Sequence, residues 1–199
     1  MAVKRTALIA VGAAVVVILV VGVIELAGSS TAPAPAPLKL TIAQMRARLA
    51  GSPQPLAELH AQAGQLISGS SAELHARLAS LRGHPVVINK WASWCGPCRS
   101  EFPAFQRAAV KYGRQVAFVG LNGKGDSLTD AAAFLRSFPV TYPSYEDPNE
   151  DIARTIQAST YDPLTVFLDR RGKIQFVHAG AYTSAGKLEQ DIGRYALAK

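Results

Sequence analysis

Cysteine is nearly absent from this chain. Its 199 residues contain two, Cys95 and Cys98, together with four histidines, His60, His75, His84 and His178. A structural zinc site needs four ligands, usually with a second Cys/His pair, and these histidines form no such pair. Attachment of a c-type haem is excluded too, because it needs a histidine directly after the second cysteine, where this chain has Arg99. Acidic residues are outnumbered, 14 against 21 basic, for a net charge of +7. The basic residues are nevertheless scattered, with no basic cluster and no nucleic-acid motif, so the charge reads as a solvated surface and no nucleic-acid partner is expected. There are no internal repeats.

Charge is missing altogether from residues 7–24, "ALIAVGAAVVVILVVGVI". As a helix this run spans about 27 Å at roughly 1.5 Å per residue, close to the bilayer's hydrocarbon core of about 30 Å. Lys4 and Arg5 precede it, which keeps the N-terminus in the cytoplasm and places the rest of the chain outside. A cleaved signal peptide is the competing reading, but it needs a shorter apolar core, and Glu25 interrupts the approach to a cleavage site. The expected organisation is a cytoplasmic tip and transmembrane anchor over 1–27 and an Ala/Pro-rich tether over 28–37, "GSSTAPAPAP". A helical extension over 38–84 and an α/β domain over 85–199 follow.

Residues 41–50 and 55–67 read as short helices, the second from Leu56, Leu59, Ala63 and Leu66 at helical spacing. Ser70 and Glu73 fit a capping box before a helix with Leu74, Leu78 and Leu81 on one face, and Gly83 marks its stop. His60 and His75 on these helices are expected at surface or cap positions. Strands are expected at 85–91, 115–122, 164–169 and 174–180, and helices at 100–113 (kinked by Pro103), 127–138, 149–158 and 184–198. That order gives a mixed sheet covered by helices.

The two cysteines stand in "WASWCGPCR", between an expected strand and an expected helix. Pro97 suits the first helical position, which puts the positive end of the helix beside Cys95 and favours its thiolate. Thiolate is the attacking species in disulfide exchange. Cys98, one turn further in, is placed to attack a mixed disulfide formed by Cys95. Two other uses of the pair stay open: a two-coordinate copper(I) site, and an inert structural disulfide, which across so short a loop gains little from chain entropy.

"NKWASWCGPCRSEFP" at a strand–helix junction resembles the TlpA/ResA-like family of membrane-tethered thiol-disulfide oxidoreductases of the thioredoxin superfamily. The resemblance implies a thioredoxin-like mixed sheet and a Cys95/Cys98 dithiol. Cys95 is then the nucleophile, Cys98 the resolving thiol, and Gly96 and Pro97 the intervening dipeptide. Trp94 is implied to flank the site, and Asn89 takes a position where cytoplasmic thioredoxins place a buried Asp. Glu101 is implied as a carboxylate that exchanges a proton with Cys98, and Pro163 as the cis-proline facing the disulfide. Asp162 departs from the family's more usual apolar residue or Thr, and a carboxylate near Cys95 would raise that thiol's pKa.

The expected activity is extracytoplasmic thiol-disulfide exchange at the cell membrane, most readily the reduction of envelope or secreted protein disulfides. Cytochrome c maturation and general thiol housekeeping are two settings for it. Oxidation of secreted proteins is the alternative direction. No cofactor or metal is called for. The expected partners are protein thiol/disulfide substrates and a membrane thiol carrier as electron donor, and a monomer is expected.

Overall fold

The computed structural model describes residues 36–159 and 161–198. The expected membrane span and most of the tether lie outside the described residues. Among the described residues, no helix is long and apolar enough to cross a membrane.

Short capped helices open the described chain. Helix α1 (Ile42–Arg48) starts at Thr41 with a full capping box to Gln44, and α2 (Gln54–Ala61) starts after Pro53. The Ser70/Glu73 capping box forms as the spacing predicts and opens α3 (Ser71–Ser80). Between α2 and α3 the chain departs from expectation. Leu66–Ile67 is a strand, β1, where the leucine spacing suggested helix, and it pairs in parallel with β4 (Ser144–Glu146), also unforeseen. The 38–84 segment is therefore helical only in part. It completes one edge of the sheet, and Gly64 N–H and Gln65 C=O continue the pairing to Tyr142 and Ser144.

The remaining strands are β2 (Val86–Trp91), β3 (Ala117–Asn122), β5 (Leu164–Leu168) and β6 (Ile174–Ala179). The six strands lie in the order β1-β4-β3-β2-β5-β6. The first four in that order are parallel, and β5 and β6 run antiparallel to their neighbours. This is the mixed sheet that the element order implied.

Both faces are covered, so β2 is buried along its whole length, as central parallel strands are. On one face lie α4 (Gly96–Tyr112), α5 (Leu128–Ser137) and α7 (Ala185–Asp191), the last continued by a π-helical stretch over Ile192–Ala196. Their side chains form one core with Val87, Trp91 and Phe167. On the other face, α2, α3 and α6 (Asp151–Thr155) cover Val86, Ile88, Val119 and Val166. Helix α6 is shorter than the expected 149–158. Leu56, Leu59, Leu74 and Leu81 of the N-terminal segment belong to this second core, so residues 38–84 and the strands share one interior. His60 is buried in the last turn of α2 rather than at the surface, whereas His75 is exposed.

An aromatic cluster fixes α4 and α5 against the C-terminal end of β2. Trp91 meets Phe102 edge-on at 5.4 Å and stacks on Phe134 at 4.9 Å, and Phe102 meets Phe134 at 4.6 Å. Such pairs contribute roughly 0.5–1.5 kcal/mol each beyond burial. The indole N–H of Trp91 donates to Ser144 Oγ at 3.1 Å across β3. Gly120 makes this possible, since a Cβ there would lie 2.0 Å from that hydroxyl.

Candidate active site

Strand β2 ends at Trp91, and four residues later Cys95 caps α4. Its Sγ accepts from the Cys98 backbone N–H at 3.1 Å, and its own N–H donates to Ala92 C=O. Cys95 and Cys98 are joined as a disulfide, with Cα atoms 5.3 Å apart. Gly96 and Pro97 are the first two helical residues, so Pro97 sits one place later than expected, still among positions whose N–H has no helical partner. The helix continues through Pro103 to Tyr112. Cys95 keeps 3% of its surface exposed and Cys98 none. Trp94 stands out at 60% exposed.

The loop carrying Cys95 is pinned from two sides. Asp126 accepts from the Ser93 N–H at 2.6 Å, from the Ser93 hydroxyl, and from Asn122 Nδ2 at 2.7 Å. Arg99 donates to Ser93 C=O at 3.0 Å while its guanidinium lies over Phe134 and Phe138. Next to this loop a groove of about 370 Å³ runs between Trp94, Arg99 and Phe134. A larger cavity, about 750 Å³, lies away from the dithiol between residues 38–43 and the end of α5, and its lining holds no group suited to thiol chemistry.

Glu101 follows Cys98 by three residues on α4, which puts the two side chains one above the other on the same face. It is wholly buried. One carboxyl oxygen, Oε2, accepts from the Tyr182 N–H at 3.0 Å, and the other has no hydrogen-bond partner among the described residues. Burial, opposed by that one bond, pushes its pKa up to about 8. A carboxyl group tuned this way can hold or release a proton near neutral pH.

Asn89 lies in β2 on the face of Val87 and Trp91, in register with Gly120 and Thr165. Its side-chain polar atoms are buried and, among the described residues, make no well-formed hydrogen bond, and the same holds of the Thr165 and Tyr142 hydroxyls. Burial raises the Tyr142 pKa beyond its ordinary value, so the phenol stays neutral. Pro163 is buried, its peptide bond to Asp162 is cis, and it lies one step beyond the Lys90–Leu164 register pair, at the end of the sheet that bears Cys95. The Asp162 carboxylate, expected near Cys95, is held by the Lys90 ammonium, with Oδ1 3.4 Å from Nζ. Burial raises its pKa, and Lys90 opposes the rise.

Sequence reasoning missed Asp126, Lys90 and Tyr182. Asp126 and Tyr182 carry no local signal. Lys90 does, because a lone charge inside "VVINKW" calls for a buried partner.

The fold and the paired cysteines at a helix N-terminus are those of the thioredoxin-fold thiol-disulfide oxidoreductases. Residues 58–177 match the AhpC/TSA family, and the chain belongs to that family. It is 32% identical over 117 residues to the thioredoxin-like protein YneN of Bacillus subtilis, covering 58% of this chain and 67% of that one. To the thiol:disulfide interchange protein DsbE of Pseudomonas fluorescens it is 31% identical over 144 residues, covering 72% of this chain and 74% of that one. Matches to ResA thiol-disulfide oxidoreductases span 55% to 65% of those proteins' lengths. Among solved structures, a thiol:disulfide interchange protein of DsbE type from Chlorobium tepidum superposes with a TM-score of 0.53 at 31% identity, over 59% of this chain and 83% of that one. The family likeness read from "WCGPC" and its flanks therefore holds.

Proposed function

We propose that the protein is a membrane-anchored, extracytoplasmic reductant of protein disulfides. The observation that carries this reading is the seating of the Cys95 sulfur. It caps α4, accepts the Cys98 N–H, and belongs to the one cysteine of the pair with any exposure. A helix N-terminus with a free N–H stabilises a thiolate there. The Cys95 thiolate attacks one sulfur of a substrate disulfide, forming a mixed disulfide and expelling the first substrate thiolate. Cys98 then attacks the Cys95 sulfur, which releases the second substrate thiolate and closes the Cys95–Cys98 disulfide. Two electrons have passed to the substrate. Glu101 takes the Cys98 proton, and a membrane thiol carrier returns the dithiol to its reduced form.

The apolar run 7–24 behind Lys4 and Arg5 supports the anchored, extracytoplasmic placement. Similarity to DsbE and ResA proteins supports thiol-disulfide exchange, and the resemblance of "NKWASWCGPCRSEFP" to the membrane-tethered family favours an envelope setting, cytochrome c maturation among them. The Gly-Pro dipeptide, shared with reducing thioredoxins, supports the reductive direction. Equilibration against glutathione tests it. A potential near the thioredoxin value of about −270 mV supports a reductant, and one near about −120 mV makes the protein an oxidant.

A further inference from the structure

Lys90 is a cation in the middle of a buried strand. On its face of β2 stand Val86 and Ile88, and the flanking strands set Leu121 and Leu164 beside it in register. An apolar residue would fill this position without the cost of desolvating a charge, and replacing buried ion pairs in that way is often neutral or stabilising. The core therefore does not account for the lysine. Its reach does. The ammonium, on a side chain 1% exposed, lies 2.7 Å from Glu150 Oε1 and 3.4 Å from Asp162 Oδ1.

Each partner comes from a different loop. Glu150 caps the start of α6 in the left-handed conformation, φ 59°, which a non-glycine residue adopts only when its surroundings hold it there. Asp162 immediately precedes Pro163. Space for its carboxylate is made by Gly123, where a Cβ would lie 2.9 Å from both carboxylate oxygens. Apart from Lys90, the charged groups that bear on Asp162 are Glu150 and Asp126, both acidic. Among the described residues, Lys90 is thus the cation paired with Asp162.

At this end of the sheet, where β2 ends and β5 begins, two loops carry exposed aromatic residues, Trp94 beside Cys95 and Tyr161 beside Asp162. We propose that Lys90 is a positioning residue: by tying Asp162 and Glu150 to the strand that leads into Cys95, it holds the Trp94 and Tyr161 loops as one receiving surface for the polypeptide around a substrate disulfide. This rests on the thiol exchange proposed above. A small disulfide needs the dithiol alone, whereas a protein disulfide needs the surface as well.

The test compares insulin disulfides with a small aromatic disulfide, 5,5′-dithiobis(2-nitrobenzoate), as substrates of Lys90→Met, Lys90→Arg and the wild type. Lys90→Met is expected to lower kcat/KM for insulin about tenfold, chiefly through KM, with the small-disulfide rate unchanged. Lys90→Arg, which keeps the charge, is expected to recover most of the loss. Because Lys90→Met strands two carboxylates, the neutral triple variant Lys90→Met/Glu150→Gln/Asp162→Asn is measured beside it, and the same fall is expected in its insulin rate relative to its own small-disulfide rate. A folded Lys90→Met or triple variant that reduces insulin as well as the wild type overturns the inference. So does an equal fall for both substrates, which would place the effect on the dithiol. A wild-type protein inert towards both overturns the thiol-exchange reading, and this inference with it.

Discussion

The Cys98 backbone N–H donates to the Cys95 sulfur at 3.1 Å, so the residue proposed to attack substrate is also the cap of the helix that carries its partner. The arrangement treats the two sulfurs differently. Cys95 sits at the positive end of α4, while Cys98 is fully buried with Glu101 one turn beyond it.

In the reduced protein, Cys95 is expected to titrate below the ordinary thiol value of about 8.5 and Cys98 above it. Alkylation rates followed across pH, with each site resolved by mass spectrometry, measure both. Equal pKa values at the two sites would remove the electrostatic asymmetry on which the order of attack rests.

Glu101 gives the oxidised protein a specific pH dependence. Its pKa rises from 4.5 to about 8 because burial disfavours the carboxylate. Below pH 4.5 folded and unfolded chains both hold this proton, and its contribution to stability is fully present. Between about pH 5 and 8 the folded chain keeps a proton that the unfolded chain has lost, so stability falls as pH rises, by an amount on the order of a few kcal/mol. Asp162, also raised by burial, adds a contribution of the same sign. Urea unfolding of the disulfide form, in which the cysteines do not titrate, should show this slope, and Glu101→Gln should flatten most of it.

The two tryptophans are expected to divide packing from recognition. Trp91 is fully buried against Phe102 and Phe134, and Trp91→Ala should cost about 3–5 kcal/mol of stability. Trp94 is 60% exposed beside the disulfide, and Trp94→Ala should leave stability within about 0.5 kcal/mol while weakening turnover of protein disulfides. Denaturant midpoints and insulin-reduction kinetics on both variants separate the two roles.

What the sequence disclosed and what it hid follow from how far each signal reaches along the chain. Ser70 and Glu73, and the run "VVIN", act over a few residues, and the capping box and β2 form where they indicate. The dithiol was legible because both sulfurs and the helix start lie within four positions. Strands β1 and β4 were not legible. They are two and three residues long, too short for an alternating pattern, and exist because each completes the other's backbone pairing across the chain. Leu66 keeps helical spacing with Leu59 and Ala63, yet the edge of the sheet claims it. The Lys90 charge was visible, but its partners Glu150 and Asp162 reach it only through the tertiary fold. Asp126 holds the Cys95 loop by two hydrogen bonds from Ser93, a role that no pattern in "GKGDS" announces.

Attack by Cys95 on a substrate disulfide, followed by resolution by Cys98, leaves an intermediate that can be trapped. In Cys98→Ser the second step is blocked, so substrates should accumulate as mixed disulfides on Cys95 in the native envelope, detected on non-reducing gels and identified by mass spectrometry. They should vanish when Cys95 is also replaced. Adducts that persist without Cys95, or no adducts under conditions that preserve mixed disulfides, would contradict the mechanism.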